Sequence, residues 1–400
     1  MYTFSLEMTI IYVIFGFVLL NAVTYYSMRY TFLPGVIWVL LFGMLYGAFN
    51  RFGITDLPPI DLDPYILFFI LVPILIFAAS KKMCLYHFRK VLGASLWLAT
   101  AGILISASII AIITHVAFDL PLLEGMLIGA ILSATDPIAV GAILHEAKTL
   151  QTDKKMLIEG ESILNDGFVV ALFAILTAMV FAKNDFTPLL STGKLILDII
   201  KALLIGLLLG RGARALLHLW KYEGFYIQIN MTLALAFAAF FVAEHFHLPG
   251  ILSVFASALS FGYKPEILKE EINNAQESIW EYLEYLANTL LFFLLGESFF
   301  LHASLEMITF GFLVISIAAL FFSRLFAIGI LYPLLCIGNE KLTRKDFWIL
   351  NFSGSRGAIS IALILLLPND FVYKSLFLTL GFVMVLVSLV FYPMLLKKVL

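Results

Sequence analysis

Residues 129–140 read GAILSATDPIAV, an apolar stretch interrupted by Ser133, Thr135, Asp136 and Pro137. Proline has no N–H to donate to the carbonyl four residues earlier, here that of Ser133, and its ring crowds the same turn. The sequence therefore predicts a helix that opens near its middle. Carbonyl oxygens exposed by an open helix suit a hard cation such as Na+, and transporters place broken helices at their midplane binding sites. The alternative interpretation is an ordinary proline kink beside a polar helix contact.

The composition around this stretch excludes a water-soluble protein. Of the 400 residues, 62% are hydrophobic and 13% are charged, and the mean hydropathy is +1.02. Soluble domains are about half apolar and about a quarter charged. The formal net charge of −2 favours neither an acidic nor a basic partner, and no nucleic-acid-binding function fits this balance. We therefore expect an integral membrane protein of many helices.

Apolar runs of roughly 17–25 residues, the length that crosses about 30 Å of hydrocarbon, lie between charged or Pro/Gly-rich breaks. They predict an all-α polytopic membrane protein with about thirteen transmembrane helices. The predicted spans are residues 8–27, 32–49, 65–80, 91–115, 122–144, 157–181, 195–217, 225–245, 248–262, 279–300, 305–335, 347–367 and 372–396.

The basic residues give an independent check on this count, because Lys and Arg concentrate in short cytoplasmic loops. With the N-terminus outside, only Arg51, Lys183, Lys194 and Lys374 fall in outer segments. A miscounted span would reverse every later loop, so the count and the orientation support each other. We expect an outer N-terminus, a cytoplasmic C-terminus and residence in an inner or plasma membrane, since outer-membrane proteins are barrels.

A few ionisable residues remain at membrane depth once the loops are removed. Each costs about 2.5–3.5 kcal/mol on insertion scales, so each is a functional candidate. They are Asp136, Glu161, Asp166, Arg324 and Arg356. Charged residues nearer the span ends are expected to snorkel towards the membrane surface. These are Asp198, Lys201, Glu244 and Glu297.

The sixth span carries a stripe of polar side chains within residues 160–167, GESILNDG. Ser162 and Asp166 are four residues apart, as are Glu161 and Asn165, so each pair lies on neighbouring turns of one helix. A buried carboxylate that binds either a cation or a proton gives exchange by competition, and Asp166 is best placed for that role. A polar patch that holds helices together is the alternative, common for Ser and Asn but poor for Asp with Glu.

The twelfth span carries a second interruption, SGSRG at residues 353–357. Gly354 and Gly357 weaken a helix and allow close backbone approach. Spans five and twelve are seven apart, so each would be the fifth member of a six-helix unit, and the two units would have opposite orientation. This spacing predicts two inverted six-helix repeats whose broken helices cross at the midplane.

At these residues the chain resembles the cation:proton antiporter-1 family, which comprises the NhaP-type bacterial Na+/H+ antiporters and their eukaryotic sodium/proton exchanger relatives. The similar motifs are ATDP at 134–137, GES at 160–162, Asn165-Asp166, FSR at 322–324 and GSRG at 354–357. The resemblance covers nearly the whole chain. It implies a homodimer with an elevator-like core, approximately residues 91–181 and 305–396. Dimerisation helices at about 8–80 and 225–300 and a linker helix at about 195–217 would complete each subunit.

The resemblance also implies a role for each polar residue of the cluster. Asp166 would be the carboxylate shared by Na+ and H+, with Ser162 and the Thr135 backbone carbonyl as further Na+ ligands. Asn165 would be a structural neighbour, and Glu161 would line the same site.

The remaining intramembrane charges would be structural. Glu161 would be held by Arg324, while Asp136 and Arg356 would balance the helix-end dipoles where the broken spans cross. Which arginine pairs with which acid stays open at this point.

The function expected on these grounds is secondary exchange of Na+ or Li+ for H+, with no enzyme activity and no cofactor. Asn165 in place of a second acid resembles the electroneutral branch, in which one Na+ exchanges for one H+. A K+/H+ antiporter is the nearest alternative. A cation channel is a weaker one, because no ring of acids and no TVGYG-like filter is present. The motifs of ATP-driven pumps and hydrolases are also missing from the sequence.

Overall fold

The computed structural model describes residues 16, 20–27, 30, 35–53, 64–136, 140, 141, 143, 144, 147, 150–181, 188–219, 225–262, 270–337 and 340–400. Most of the first predicted span and Pro137 lie outside these described residues. Within them, fourteen α-helices have defined bounds. They are α1 Gly35–Arg51, α2 Pro64–Lys81, α3 Leu85–Trp97, α4 Ile103–Phe118, α5 Leu122–Ser133, α6 Thr152–Phe181, α7 Pro188–Leu219, α8 Phe225–His245, α9 Gly250–Phe261, α10 Glu270–His302, α11 Phe310–Leu331, α12 Arg344–Ser353, α13 Ala358–Leu365 and α14 Lys374–Val399.

The helices confirm an all-helical membrane architecture, apart from one small ribbon. In the described part of the chain, six helical stretches are long and apolar enough to cross a bilayer, and four shorter apolar helices accompany them. Strands Cys336–Ile337 (β1) and Glu340–Lys341 (β2) pair antiparallel. A π-helical turn, Leu98–Gly102, joins α3 to α4. The count of thirteen spans stays a prediction, as does the inverted repeat.

The helices pack as two groups. The core group consists of α3 to α6 and α11 to α14, and the flanking group consists of α1, α2 and α7 to α10. The two groups meet where α6 packs against α2, α7 and α9, where α13 packs against α2 and α10, and where α14 packs against α1 and α10. The broken segments predicted at residues 133–137 and 353–357 both belong to the core group.

Polar contacts bring the first residues of α6 and α12 to the same end of the molecule. Lys154 and Asp346 form an ion pair with a Nζ–Oδ1 distance of 2.7 Å. Thr343 and Asp346 form a capping box at the start of α12. Burial alone would raise the pKa of the Asp346 carboxyl, but hydrogen bonds from Lys154 and Thr343 outweigh it and hold the pKa below its usual range. We call this side of the molecule the Lys154 end and the opposite side the Phe181 end.

The structure contradicts the expectation that Glu297 snorkels. Glu297 is 1% exposed. Its backbone lies against Gly47 of α1, where an added Cβ would come within 2.5 Å of the Glu297 carbonyl oxygen. Helix α10 continues to His302, so Glu297 lies well inside the helix end rather than at it. Asp198, by contrast, forms a 3.5 Å ion pair with a half-exposed Lys201.

Candidate functional site

The site begins where two breaks in the core group cross. Helix α5 ends at Ser133, and residues 354–357 between α12 and α13 are not helical. The Asp136 backbone N–H donates to the Ser355 carbonyl oxygen at 2.7 Å. The Ser355 hydroxyl donates in return to the Asp136 carbonyl oxygen at 2.5 Å. These reciprocal bonds join the two breaks, because each break supplies a partner for backbone groups that a continuous helix would have paired.

Two buried arginines bind the carbonyl ends of the broken helices. Arg356 Nη1 donates to the carbonyl oxygens of Ser133 at 2.5 Å and Ala134 at 3.4 Å, at the end of α5. Arg324 Nη2 donates to the Leu350 carbonyl oxygen at 3.0 Å, in the last turn of α12. A helix ends with unpaired carbonyls and partial negative charge, so a guanidinium supplies both donors and compensating charge.

A negatively charged side chain, that of Asp136, lies at the start of α13. The carboxylate of Asp136 packs against Gly357, the residue that precedes α13, so closely that an added Cβ would be 2.5 Å from Oδ2. Helix N-termini carry partial positive charge and favour a nearby anion. Glycine at position 357 therefore leaves the space in which the Asp136 carboxylate reaches this helix end.

A second buried acid is paired with arginine. Arg324 makes two parallel hydrogen bonds to Glu161, Nη2 to Oε2 at 2.9 Å and a shorter Nη1 to Oε1 contact. Both side chains are nearly inaccessible to solvent. Gly354 lets the guanidinium approach, since an added Cβ would lie 2.6 Å from Arg324 Nε. The bidentate geometry compensates the cost of burying both charges.

Three polar residues connect the opened end of α5 to the middle of α6. The Ser162 hydroxyl donates to the Thr135 carbonyl oxygen in a short contact. Asn165 Nδ2 donates to the Thr135 hydroxyl at 2.5 Å, and the Thr135 N–H donates to Asn165 Oδ1 at 3.4 Å. A backbone carbonyl and a side-chain hydroxyl therefore converge at the break, and Asn165 fixes their position.

Asp166 lies one helical turn beyond Ser162 on α6 and is 8% exposed. Among the residues that the structure describes, it forms no hydrogen bond and no ion pair. The two nearby arginines are already bound, Arg324 to Glu161 and Arg356 to the end of α5. Asp166 is therefore a buried carboxyl group that can take up a proton or a metal cation without first breaking an arginine pair.

The structure thus brings every residue predicted for the site into one region. The cluster at the break is made by Thr135, Ser162, Asn165 and Asp166, and the compensated charges beside it are Asp136, Glu161, Arg324 and Arg356. In the described ranges, no three His, Cys, Asp or Glu side chains converge as a metal site. The possible cation ligands are a mixed set of one carboxylate, one hydroxyl and one carbonyl, which suits a hard monovalent ion.

Sequence reasoning missed three serines that hold the crossing together. Ser355 was part of a predicted break but had no assigned role. Ser360 donates to the Ile131 carbonyl oxygen at 2.8 Å, and the Ser388 hydroxyl accepts from the Arg356 N–H at 2.9 Å. The sequence shows each of these residues as a single hydroxyl within an apolar span. A serine that bonds only within its own helix gives the same pattern, so the sequence could not identify the contacts between helices.

Comparisons with known proteins place this arrangement among ion exchangers. The profile of the family described as "Sodium/hydrogen exchanger, transmembrane" matches residues 10–400. The Na(+)/H(+) antiporter NhaH of Halobacillus aidingensis is 30% identical over 87% of this chain and 88% of its own length. NhaP of Pseudomonas aeruginosa is 27% identical over 93% and 91%. Sodium/hydrogen exchanger 7 of Arabidopsis thaliana is 29% identical over 84% of this chain, which spans 31% of the plant protein.

The fold has a solved counterpart as well. The sodium proton antiporter MjNhaP1 from Methanocaldococcus jannaschii, in a structure at pH 8, superposes with a TM-score of 0.79. The match covers 98% of both chains at 20% sequence identity. The two chains therefore share their fold along almost their full lengths.

Proposed function

Because this chain belongs to the sodium/hydrogen exchanger family, we propose that it is a secondary antiporter that exchanges Na+ for H+ across a membrane. Asp166 is the carboxylate that the two ions share. Ser162 and the Thr135 carbonyl supply further oxygen ligands to Na+. The observation that carries this proposal is the buried Asp166 side chain, which has no hydrogen bond or ion pair within the described residues and lies one turn from Ser162.

Exchange follows from competition for one carboxylate. The ionised form of Asp166 is costly in an apolar region unless a cation neutralises it, so the group holds either a proton or Na+ when it crosses the membrane. In the present geometry the Ser162 hydroxyl donates to the Thr135 carbonyl. When Na+ binds, the hydroxyl turns its hydrogen elsewhere, and both oxygens then point lone pairs at the ion.

The neighbouring charges favour a stoichiometry of one Na+ for one H+. Glu161 is neutralised by Arg324, and Arg356 binds the carbonyl end of α5. Residue 165, which bonds to Thr135, is asparagine, a neutral amide, rather than a second acid. Asp166 is then the one group of this cluster that changes charge during the cycle, so transport is electroneutral.

Alternating access arises from movement of the core group against the flanking group. The core comprises approximately residues 91–181 and 305–396, with dimerisation helices at about 8–80 and 225–300 and a linker at about 195–217. Support comes from the packing, since α6 carries Asp166 and meets the flanking helix α9 at the border between the groups. The flanking group then supplies the contact between two copies in a homodimer.

The proposed location is an inner or plasma membrane, with the N-terminus outside and the C-terminus in the cytoplasm. Lys154 and its neighbours His87 and Lys90 lie at one end of the molecule, paired with Asp153 and Asp346. A cluster of basic residues at one membrane face favours the cytoplasmic side for that face.

Replacing Asp166 by asparagine tests the shared carboxylate. In proteoliposomes with a preset pH gradient, Asp166→Asn should abolish the proton movement that Na+ triggers, because an amide cannot alternate between the two charge states. Asp119→Asn is the matched control, since Asp119 is exposed at the end of α4 with a φ of 52°, a conformation that asparagine also adopts. Full exchange by a folded Asp166→Asn protein would remove the mechanism.

The same assay decides between monovalent cations. Three oxygen ligands of mixed type do not by themselves select among Na+, Li+ and K+. Collapse of the pH gradient by Na+ and Li+, with little response to K+, would support the proposed substrate. A stronger response to K+ would make the protein a K+/H+ antiporter on the same scaffold.

A further inference from the structure

A cavity lies on the face of α6 beyond Asp166, towards the Phe181 end. Its volume is about 410 Å³, and it is lined by α6, α7 and the turn between α8 and α9. Along α6 it is lined by the apolar side chains of Val170, Ala171, Ala174, Ile175 and Ala178. These positions recur at helical spacing, so the cavity follows one face of the helix upward from the level of Asp166.

The rim of the cavity is polar and its depth is apolar. Lys194 and Asp198 of α7 line the rim together with Glu244 and His247. One Glu244 oxygen accepts the Gly250 N–H at 3.0 Å, which keeps this carboxyl beside the turn into α9. The polar groups at the rim admit water, and the apolar side chains along α6 give that water few hydrogen bonds.

Residues of both helix groups line the inner part of the cavity. Val170 and Ala171 line it on α6, and the buried residues Leu248 and Pro249 line it just before α9. One helical turn before Val170 and Ala171, the Leu252 side chain of α9 packs on Gly167 of α6.

The Leu252 contact occupies the space that a side chain at position 167 would fill. An added Cβ at Gly167 would lie 2.3 Å from Leu252 Cδ2, and Leu252 is 3% exposed. Asp166 is the next residue along α6. Leu252 therefore separates the cavity from the level of the carboxylate.

We propose that this cavity is the path by which Na+ and H+ reach Asp166 from the Phe181 end, and that Leu252 is the gate that closes it. The inference rests on the proposed exchange at Asp166. A dry leucine contact blocks a hydrated cation because the ion would lose water without gaining ligands. Gly167 and Leu252 belong to different helix groups, so movement of the core group against the flanking group opens the contact without unfolding either helix.

Cysteine labelling tests the gate without requiring transport. The two native cysteines are free and are replaced (Cys84→Ser, Cys336→Ser), and Asp166→Cys is introduced in proteoliposomes. A membrane-impermeant methanethiosulfonate is added to each side in turn. Leu252→Ala should increase the labelling rate at position 166 severalfold from the Phe181 side. Leu252→Met, which keeps the side-chain volume, should leave the rate unchanged.

Labelling in the cavity itself supplies the control. Ala174→Cys should react rapidly from the same side whether residue 252 is leucine or alanine, because it lies above the gate. An unreactive Ala174→Cys, or an Asp166→Cys rate that Leu252→Ala does not change, would overturn the proposal. If Leu252→Ala does not fold, Leu252→Val replaces it and should still raise the labelling rate above that of the leucine protein.

The outcome is separable from that of the exchange assay. Asp166→Cys reports access to a position and does not depend on which ion binds there. A gate-dependent labelling rate together with an active Asp166→Asn protein would keep the path and reject the shared carboxylate. An inactive Asp166→Asn protein, together with a labelling rate that does not depend on residue 252, would keep the shared carboxylate and reject Leu252 as the gate.

Discussion

Three ionisable side chains or pairs near the chain breaks are compensated, each in a different way. Glu161 is paired with Arg324, Arg356 binds the carbonyl end of α5, and Asp136 lies against the start of α13. Asp166 is the exception within the described residues. Burial without compensation is costly for a fixed charge but suits a group whose charge is cancelled by whichever ion it carries.

Removing one partner of the Glu161–Arg324 pair should destabilise the protein strongly. Glu161→Gln would leave the Arg324 guanidinium buried with one partner fewer, which costs about 3–5 kcal/mol in comparable buried pairs. We expect a lower thermal unfolding temperature for the detergent-solubilised protein. The double variant Glu161→Gln with Arg324→Gln should recover part of the loss because no unpaired charge remains. Equal stability of the single variant and the parent would contradict a structural role for the pair.

The sequence predicted which residues form the polar cluster, but only some of the contacts among them. The four-residue spacing of Ser162 and Asp166 puts them on one helix face whatever surrounds them, so the sequence predicts their proximity. The contact between Asn165 and Thr135 depends on how two distant segments pack. The pairing of Arg324 with Glu161 likewise joins residues 163 positions apart, and helix periodicity alone could not choose it.

At the scale of the helix, each break supplies hydrogen-bond partners for the other. Pro137 has no N–H for the carbonyl of Ser133, and in the structure this carbonyl accepts from Arg356 instead. The break in α5 was therefore predictable from proline chemistry. The partner that occupies the free carbonyl was not, because Arg356 comes from the other broken span.

Gly357 should tolerate no side chain at this crossing. A Cβ there would lie 2.4 Å from Asp136 Cβ and 2.5 Å from its Oδ2, so one break must move away from the other. We expect Gly357→Ala to lower the free energy of unfolding by an amount typical of overpacking, about 1–3 kcal/mol, which a lower thermal unfolding temperature would report. Na+-driven proton movement should also fall. Gly212→Ala in α7 is the matched control, because nothing lies within 4 Å of the added atom. A Gly357→Ala protein as stable and active as this control would contradict the assigned packing.

Across the whole molecule, the helices divide into a core group and a flanking group that touch along α6, α13 and α14. Hydropathy predicted the apolar helices but not this division, because a buried span and a lipid-facing span have similar compositions. Glu297 shows the same limit. Its position near the end of an apolar run suggested the surface, whereas close packing of α10 on α1 buries it.

A disulfide between the core group and the flanking group should stop transport. Cysteines at positions 167 and 252 would bring their Cβ atoms within about 4 Å, a separation that suits a disulfide, since Leu252 Cγ lies 2.5 Å from the Gly167 Cβ position. In a background lacking the native cysteines, oxidation of Gly167→Cys with Leu252→Cys should abolish Na+-dependent proton movement, and a reductant should restore it.

The two single-cysteine proteins control for the substitutions themselves and should not respond to oxidant. Undiminished exchange by a fully cross-linked sample would show that α6 and α9 need not separate during the cycle.

The reciprocal bonds between Asp136 and Ser355 have a consequence for how the protein ranks its ions. In the proposed movement of the core group, these bonds would hold the two breaks, and with them the proposed ligand Thr135, in a fixed arrangement on both faces of the membrane. An ion arriving from either compartment would then meet the same proposed ligands at the same spacing. On the proposed mechanism we therefore expect the same order of preference among alkali metal ions in both directions of flux.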